Sequence, residues 1–161
     1  MAETANKKFF ISTFTVGIDG KGRVSVPADF RKVLTGKGVD EVVAFPHDSL
    51  PCLICCDAGY LETLKADDED SDLFSEEPDS LWVKVFSQAA TLPWDGTGRI
   101  ILPPRFVEVV GAKDSVAFTG KLETFEIWEP QALEGHRQKA LVRIAEDGAR
   151  VRKPRRGGGG S

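Results

Sequence analysis

An aspartate and an arginine four residues apart occur twice in this chain, as Asp19 and Arg23 in DGKGR and as Asp95 and Arg99 in DGTGR, 76 residues further on. In Asp-Gly-x-Gly the glycines accept positive φ and the aspartate side chain bonds nearby backbone, so a tight reversal sets a short acid beside a long base. Two roles are open to such a pair. The carboxylate and guanidinium can lock the turn and meet no ligand. Alternatively, the aspartate holds the arginine outward in one orientation, where its planar fork suits a phosphate or a guanine edge. The roles are compatible, because an arginine already ordered loses less entropy on binding. Lys21 at the tip of the first turn would add phosphate affinity, whereas Thr97 stands there in the second. Arg31, Lys32 and Arg105, on the helices expected next, read first as solvated charge and second as further DNA contacts. In the tail, Arg150, Arg152, Lys153, Arg155 and Arg156 would supply nonspecific DNA affinity or keep the terminus soluble.

Other chemistries find less to work with. Catalysis needs convergent nucleophiles, acids or metal ligands, but His47 and His136 stand apart and no G-x-S-x-G elbow or Walker loop occurs. We expect no enzyme, no metal, no cofactor and no small-molecule substrate. Cys52, Cys55 and Cys56 crowd into PCLICC, a poor disulfide framework, and read as small apolar side chains of a buried strand. No apolar run approaches the roughly 20 residues of a membrane span, and MAETANKK lacks the apolar core of a signal peptide. The expectation is a cytoplasmic protein.

The turns belong to longer repeats. DGKGRVSVPADFRKVL aligns with DGTGRIILPPRFVEVV over sixteen positions without a gap, seven of them identical. Ahead of the first turn, FFISTFTVGI is rich in β-formers; after it, RVSVP reads as a short strand and ADFRKVL as a short helix started by Pro27. Strands are expected around 41–46 and 51–57, and the second copy repeats the series with RIILP, PRFVEVV, SVAFTG and TFEIWEP. Phe30 and Phe106, at one repeat position, are expected in the core, and Trp82, Trp94 and Trp128 are expected to pack beside strands. A unit of roughly 50 residues buries too little to be stable alone, so two units would complete one core.

Charge is unevenly placed. The net charge is −4, yet residues 62–79 hold nine acids against one lysine, and residues 132–161 hold eight bases against three acids. A linker and a tail therefore set the bulk charge, leaving the repeats near neutral. A helix from Ala58 to Lys65, a solvated acidic loop and a helix from Pro130 onward complete the expected elements.

VGIDGKGRVSVPADFR resembles the swapped-hairpin barrel motif of the AbrB and SpoVT proteins, and two copies in one chain resemble the MraZ family. PCLICCDAGYLETL, FSQAATLPWDGTGRIILPP and SVAFTGKLETFEIWEP extend the resemblance over about residues 9–131. It implies an α+β fold of two pseudo-symmetric AbrB-like β-barrel units with short helices, assembled into a ring-like homo-oligomer. The implied organisation is a first unit over 9–58, an acidic linker over 59–80, a second unit over 81–131 and a helical, then flexible basic tail over 132–161. The implied function is a nucleoid-associated regulator that binds tandem promoter repeats in double-stranded DNA and represses its own division and cell-wall operon. Carried over by position, Arg23 and Arg99 contact DNA, Lys21 supports the first, and Asp19 and Asp95 anchor them. A protein-binding or ring-forming scaffold without specific DNA binding is the competing expectation.

Overall fold

The computed structural model describes residues 8–68, 73–77 and 79–148. The basic cluster expected from Arg150 to Arg156, and part of the acidic loop expected before Asp79, lie outside them. The chain divides into two compact units, one ending at Pro130 and the other beginning at Gln131.

The first unit is an α+β assembly in which equivalent elements recur in order. The first repeat gives β1 (Thr13–Gly17), β2 (Arg23–Ser25), α1 (Ala28–Gly36), β3 (Glu41–Pro46) and β4 (Cys52–Cys56). Helix α2 (Ala58–Asp67) and a π-helical turn (Trp82–Phe86) come next. The second repeat gives β5 (Ala90–Pro93), β6 (Arg99–Ile101), α3 (Pro104–Val110), β7 (Ser115–Gly120) and β8 (Phe125–Trp128). Helix α4 spans Pro130–Gly148. No helix among the described residues is long and apolar enough to cross a membrane.

All strand pairs are antiparallel, and the strands run β1-β7-β8-β4-β3-β5 in a six-stranded sheet, with β2-β6 as a separate ribbon. Exchanging each strand for its counterpart in the other repeat reads the same order backwards. Strand β1 thus pairs with β7 of the second repeat, and β5 with β3 of the first. The short helices start where the sequence leads one to expect, except that Pro27 and Pro103 cap α1 and α3 from outside. Their carbonyls accept N–H bonds from Phe30 and Phe106.

Alternation sorts side chains to two faces of β3 and β4. Val42, Ala44, Leu53 and Cys55 enter the main core, while Val43, Phe45 and Cys56 join a smaller one with Val85. Covered on both faces, these strands read as near-continuous apolar runs, and the three cysteines are buried there as expected. Burial pushes the Cys52 and Cys56 thiols up to about 12 and Cys55 upward as well. Among the described residues no group of three or more acids, histidines and cysteines is placed to hold a metal ion.

Phe30 and Phe106 are both buried, as their repeat position implied. Phe30 is the hub: its ring lies 4.9 Å from Phe125, 5.3 Å from Phe10, 5.4 Å from Phe14 and 6.3 Å from Phe118, centroid to centroid. Trp128 is buried opposite Cys52, but Trp82 is 57% exposed and does not pack as expected, because the π-helical turn leaves it on the outer side. The β-rich run before Asp19 is also shorter than expected. Ser12, at φ 74°, interrupts it, and Phe10 forms its own two-bond bridge with Leu122.

Replacing Phe30 by alanine should cost about 3–5 kcal/mol in chemical denaturation, the usual range for a buried phenylalanine. Trp82→Ala should stay within about 0.5 kcal/mol of the parent, as exposed positions do. Equal costs would contradict a core centred on Phe30.

Candidate nucleic-acid interface

The two Asp-Gly-x-Gly-Arg turns have nearly the same bonds. In the first, Gly22 N–H donates to the Asp19 carbonyl at 3.0 Å and Asp19 N–H to the Arg23 carbonyl at 3.3 Å. Asp19 Oδ1 accepts the backbone N–H of Lys21 and of Arg23, each at 2.9 Å, and Oδ2 accepts Arg23 Nε–H at 2.6 Å. In the second, Asp95 Oδ1 accepts the N–H of Thr97 at 2.9 Å and of Arg99 at 3.1 Å, while Oδ2 accepts Arg99 Nε–H at 3.0 Å. One carboxylate therefore holds both a turn and the arginine that leaves it.

Gly22 and Gly98 both sit at φ 81°, a region that strains other residues. Their carbonyls also join the repeats. Leu102 N–H donates to Gly22 at 2.8 Å, and Val26 N–H donates to Gly98 at 2.9 Å. Each turn is thus secured by the strand end of the opposite repeat.

The ribbon of β2 and β6 sets the spacing. Val24 pairs with Ile100, and both face the core; Arg23 pairs with Ile101 and Ser25 with Arg99. By alternation, Arg23, Ser25, Arg99 and Ile101 share the outward face. The two arginines stand diagonally across it, with Cα atoms about 7–8 Å apart. Their side chains are 34% and 37% exposed, open enough to meet a ligand yet held at Nε. Arg99 also brings Nη2 to 3.0 Å from Asp95 Oδ2, so its terminal nitrogens are more engaged than those of Arg23.

The remaining predicted cations differ in placement. Lys21 and Lys32 are exposed. Arg105 is exposed too, with its guanidinium 4.2 Å from the Phe106 ring centre and Nη1 donating to the Gln88 carbonyl at 3.0 Å. Arg31 is partly buried rather than fully solvated. Its Nε donates to the Val26 carbonyl at 3.1 Å, and its guanidinium lies where a Cβ on Gly98 would come within 2.6 Å. The first helix thereby lays a cation against the second turn, the turn that has Thr97 in place of lysine. No sequence signal marked this contact beyond the exchange of Arg31 for Val107 at one repeat position. Where Val107 stands, the first turn keeps an open cleft of ≈ 570 Å³, bordered by Lys21, Gly22, Val107, Glu108 and Lys113.

The family described as "MraZ protein, putative antitoxin-like" matches residues 85–150. The protein named transcriptional regulator MraZ in Rickettsia akari (strain Hartford) is 39% identical over 138 residues, covering 86% of this chain and 92% of that protein. Its namesake in Rickettsia bellii (strain OSU 85-389) is 41% identical over 123 residues, covering 76% and 82% respectively.

The turn bonds have a titration consequence. The backbone N–H of Arg23, then its side chain, draw the Asp19 carboxyl down from 3.8 to about 2. Asp95 is lowered too, first by the Arg99 backbone N–H and then by Thr97. A lowered folded-state value means that the carboxylate stabilises the turn fully above 3.8. That contribution is lost as pH falls through about 2 for Asp19. In a carboxyl-detected NMR titration, Asp19 should show a midpoint near 2. Arg23→Ala should raise the midpoint only part of the way to 3.8, since the backbone bonds remain. A wild-type midpoint at 3.8 would mean that the lock does not persist in solution.

Proposed function

The chain belongs to the MraZ family, and on that premise we propose that it is a transcription regulator that binds double-stranded DNA in a sequence-specific way. Arg23 and Arg99 are the reading residues, Asp19 and Asp95 fix their guanidinium groups, and Lys21 adds a phosphate contact. Arg105 and Lys32 contribute at most peripheral charge, and Arg31 acts by ordering the second turn. The observation that carries this reading is the outward face of the β2–β6 ribbon, where two arginines are held by aspartates at a fixed separation. A two-stranded ribbon fits the major groove, and an oriented guanidinium there suits the O6 and N7 atoms of guanine.

The finer features follow the same reading. Residues 9–58 and 81–131 are two pseudo-symmetric swapped-hairpin units of the AbrB and SpoVT kind, joined by an acidic linker over 59–80 and followed by a tail over 132–161. The palindromic strand order supports that pairing of units. Copies of the chain form a ring-like homo-oligomer in the cytoplasm, associated with the nucleoid, and act as a repressor at tandem repeats upstream of their own division and cell-wall operon. The reading includes no catalysis and no cofactor. Repeated sites on one duplex would let weak modules act together, since each contact after the first is intramolecular.

A second reading draws on the antitoxin-like description of the family and on Leu141, Val142 and Ile144, which α4 exposes. On that reading the helix docks a protein partner and DNA is incidental.

Fluorescence anisotropy decides between them, with one duplex carrying the upstream repeats and another scrambling them. Wild type should prefer the repeats, and Arg23→Ala should weaken that binding about tenfold or more, the worth of one good arginine–guanine contact. Affinity should also fall steeply with salt. Equal binding to both duplexes, unchanged in Arg23→Ala and Arg99→Ala, would overturn the regulator reading and leave the protein-docking one.

A further inference from the structure

The outward face of the β2–β6 ribbon carries two residues that the arginine reading does not use. Ser25 and Ile101 occupy one repeat position, yet one is a small hydroxyl and the other a β-branched hydrocarbon. Ile101 is 57% exposed, on a face otherwise polar, while its neighbour Ile100 supplies the core contact of the same strand. Register places each beside an arginine of the other repeat: Ile101 is opposite Arg23, and Ser25 is opposite Arg99. Directly opposed side chains on one face stand about 5 Å apart at Cβ, near enough to meet the same or adjoining base pairs.

Building on the DNA-binding reading above, we infer that Ile101 is a specificity-determining residue that packs on the 5-methyl group of a thymine in the major groove, next to the guanine met by Arg23. The argument is chemical. In the major groove the thymine methyl is the one apolar feature of a base edge, and apolar side chains are its partners. A phosphate contact would use a cation at this position, and a minor-groove contact would find no methyl group. Ser25, at the counterpart position, offers a hydroxyl that bonds many edges and discriminates little. The two arms of the ribbon are therefore unequal. One joins Lys21, Arg23 and Ile101; the other joins Thr97, Arg99 and Ser25. A single protomer would read a half-site with thymine beside guanine more strictly on its first arm than on its second.

The test first uses the full chain to select duplexes from a random library. The selected duplex is then resynthesised with each thymine replaced in turn by deoxyuridine, which removes the methyl alone. Affinities are measured at fixed salt for wild type, Ile101→Ser, Ile101→Val and Ser25→Ile. One substitution should weaken wild type about fourfold, as expected for a buried methyl-sized group, and should leave Ile101→Ser unaffected. Ile101→Val should keep the methyl dependence, which separates lost packing from a misfolded ribbon. Ser25→Ile should acquire a second sensitive thymine in the other arm. Specific binding with no difference between wild type and Ile101→Ser at any thymine would overturn the inference while sparing the regulator reading. Failure to select any preferred sequence would overturn both.

Discussion

Each repeat leaves backbone and apolar groups that only the other repeat can satisfy, and the rest of the first unit depends on that reciprocity. Strand β2 forms its ladder with β6, with Val24 against Ile100 at the centre, and within its own repeat makes one isolated bridge, Val24 to Ile18. The turn carbonyls of Gly22 and Gly98 take N–H bonds from Leu102 and Val26 across the same crossing. Neither repeat alone could offer those acceptors a donor, and buried unpaired groups are costly. The aromatic cluster has the same character, since Phe10, Phe14 and Phe30 come from the first repeat and Phe118 and Phe125 from the second. Structural order of the turns, and hence of their arginines, follows from folding of the pair.

This exchange explains what the sequence did and did not disclose. Local elements were legible, because strand alternation, turn glycines and helix-starting prolines act within a few residues. Strands β3 and β4 were expected around 41–46 and 51–57 and occur at Glu41–Pro46 and Cys52–Cys56. Partner choice was less accessible, since β1 resembles a strand that could pair with either β3 or β7; only the register in space decides it. Trp82 misled for a related reason. Aromatic residues beside strands usually pack, but the chain there closes into a π-helical turn whose buried member is Val85. At the candidate interface the Asp–Arg pairs were visible from spacing alone. The role of Arg31 was not, because its contact with Gly98 joins residues 67 positions apart through the crossing.

Substitutions within the common backbone have made the two turns chemically different. The first turn keeps Lys21 at its tip and an open cleft beside Val107. The second has Thr97, whose hydroxyl donates to Asp95 Oδ1 at 2.8 Å, and Arg31 lies over its glycine. Thr97 and Arg31 enclose the second turn, whereas the first keeps its extra cation, Lys21, exposed beside an open cleft. A homodimer of single-repeat chains would have to change both sites together. A covalent pair can divide the tasks, with one turn shaped for charge and the other for order.

Charge arithmetic limits what such turns can do through attraction alone. Within its own five residues the first turn has two cations to one carboxylate and the second has one to one, with Arg31 added from the first helix, on a chain with nine acids between residues 62 and 79. Phosphate neutralisation of this size gives weak, salt-sensitive binding. The aspartates reduce net attraction further, while fixing both the turns and the orientation of the arginines. Asp19 engages Arg23 through Nε, and the two terminal nitrogens of a guanidinium can together donate a pair of parallel hydrogen bonds. A fixed fork loses little freedom on binding and rejects partners lacking paired acceptors, which is discrimination rather than affinity. On the proposed reading, affinity comes from repetition, because several copies on successive sites of one duplex would act together. A ribbon that trades attraction for orientation is therefore suited to repeated sites and ill suited to holding a single one.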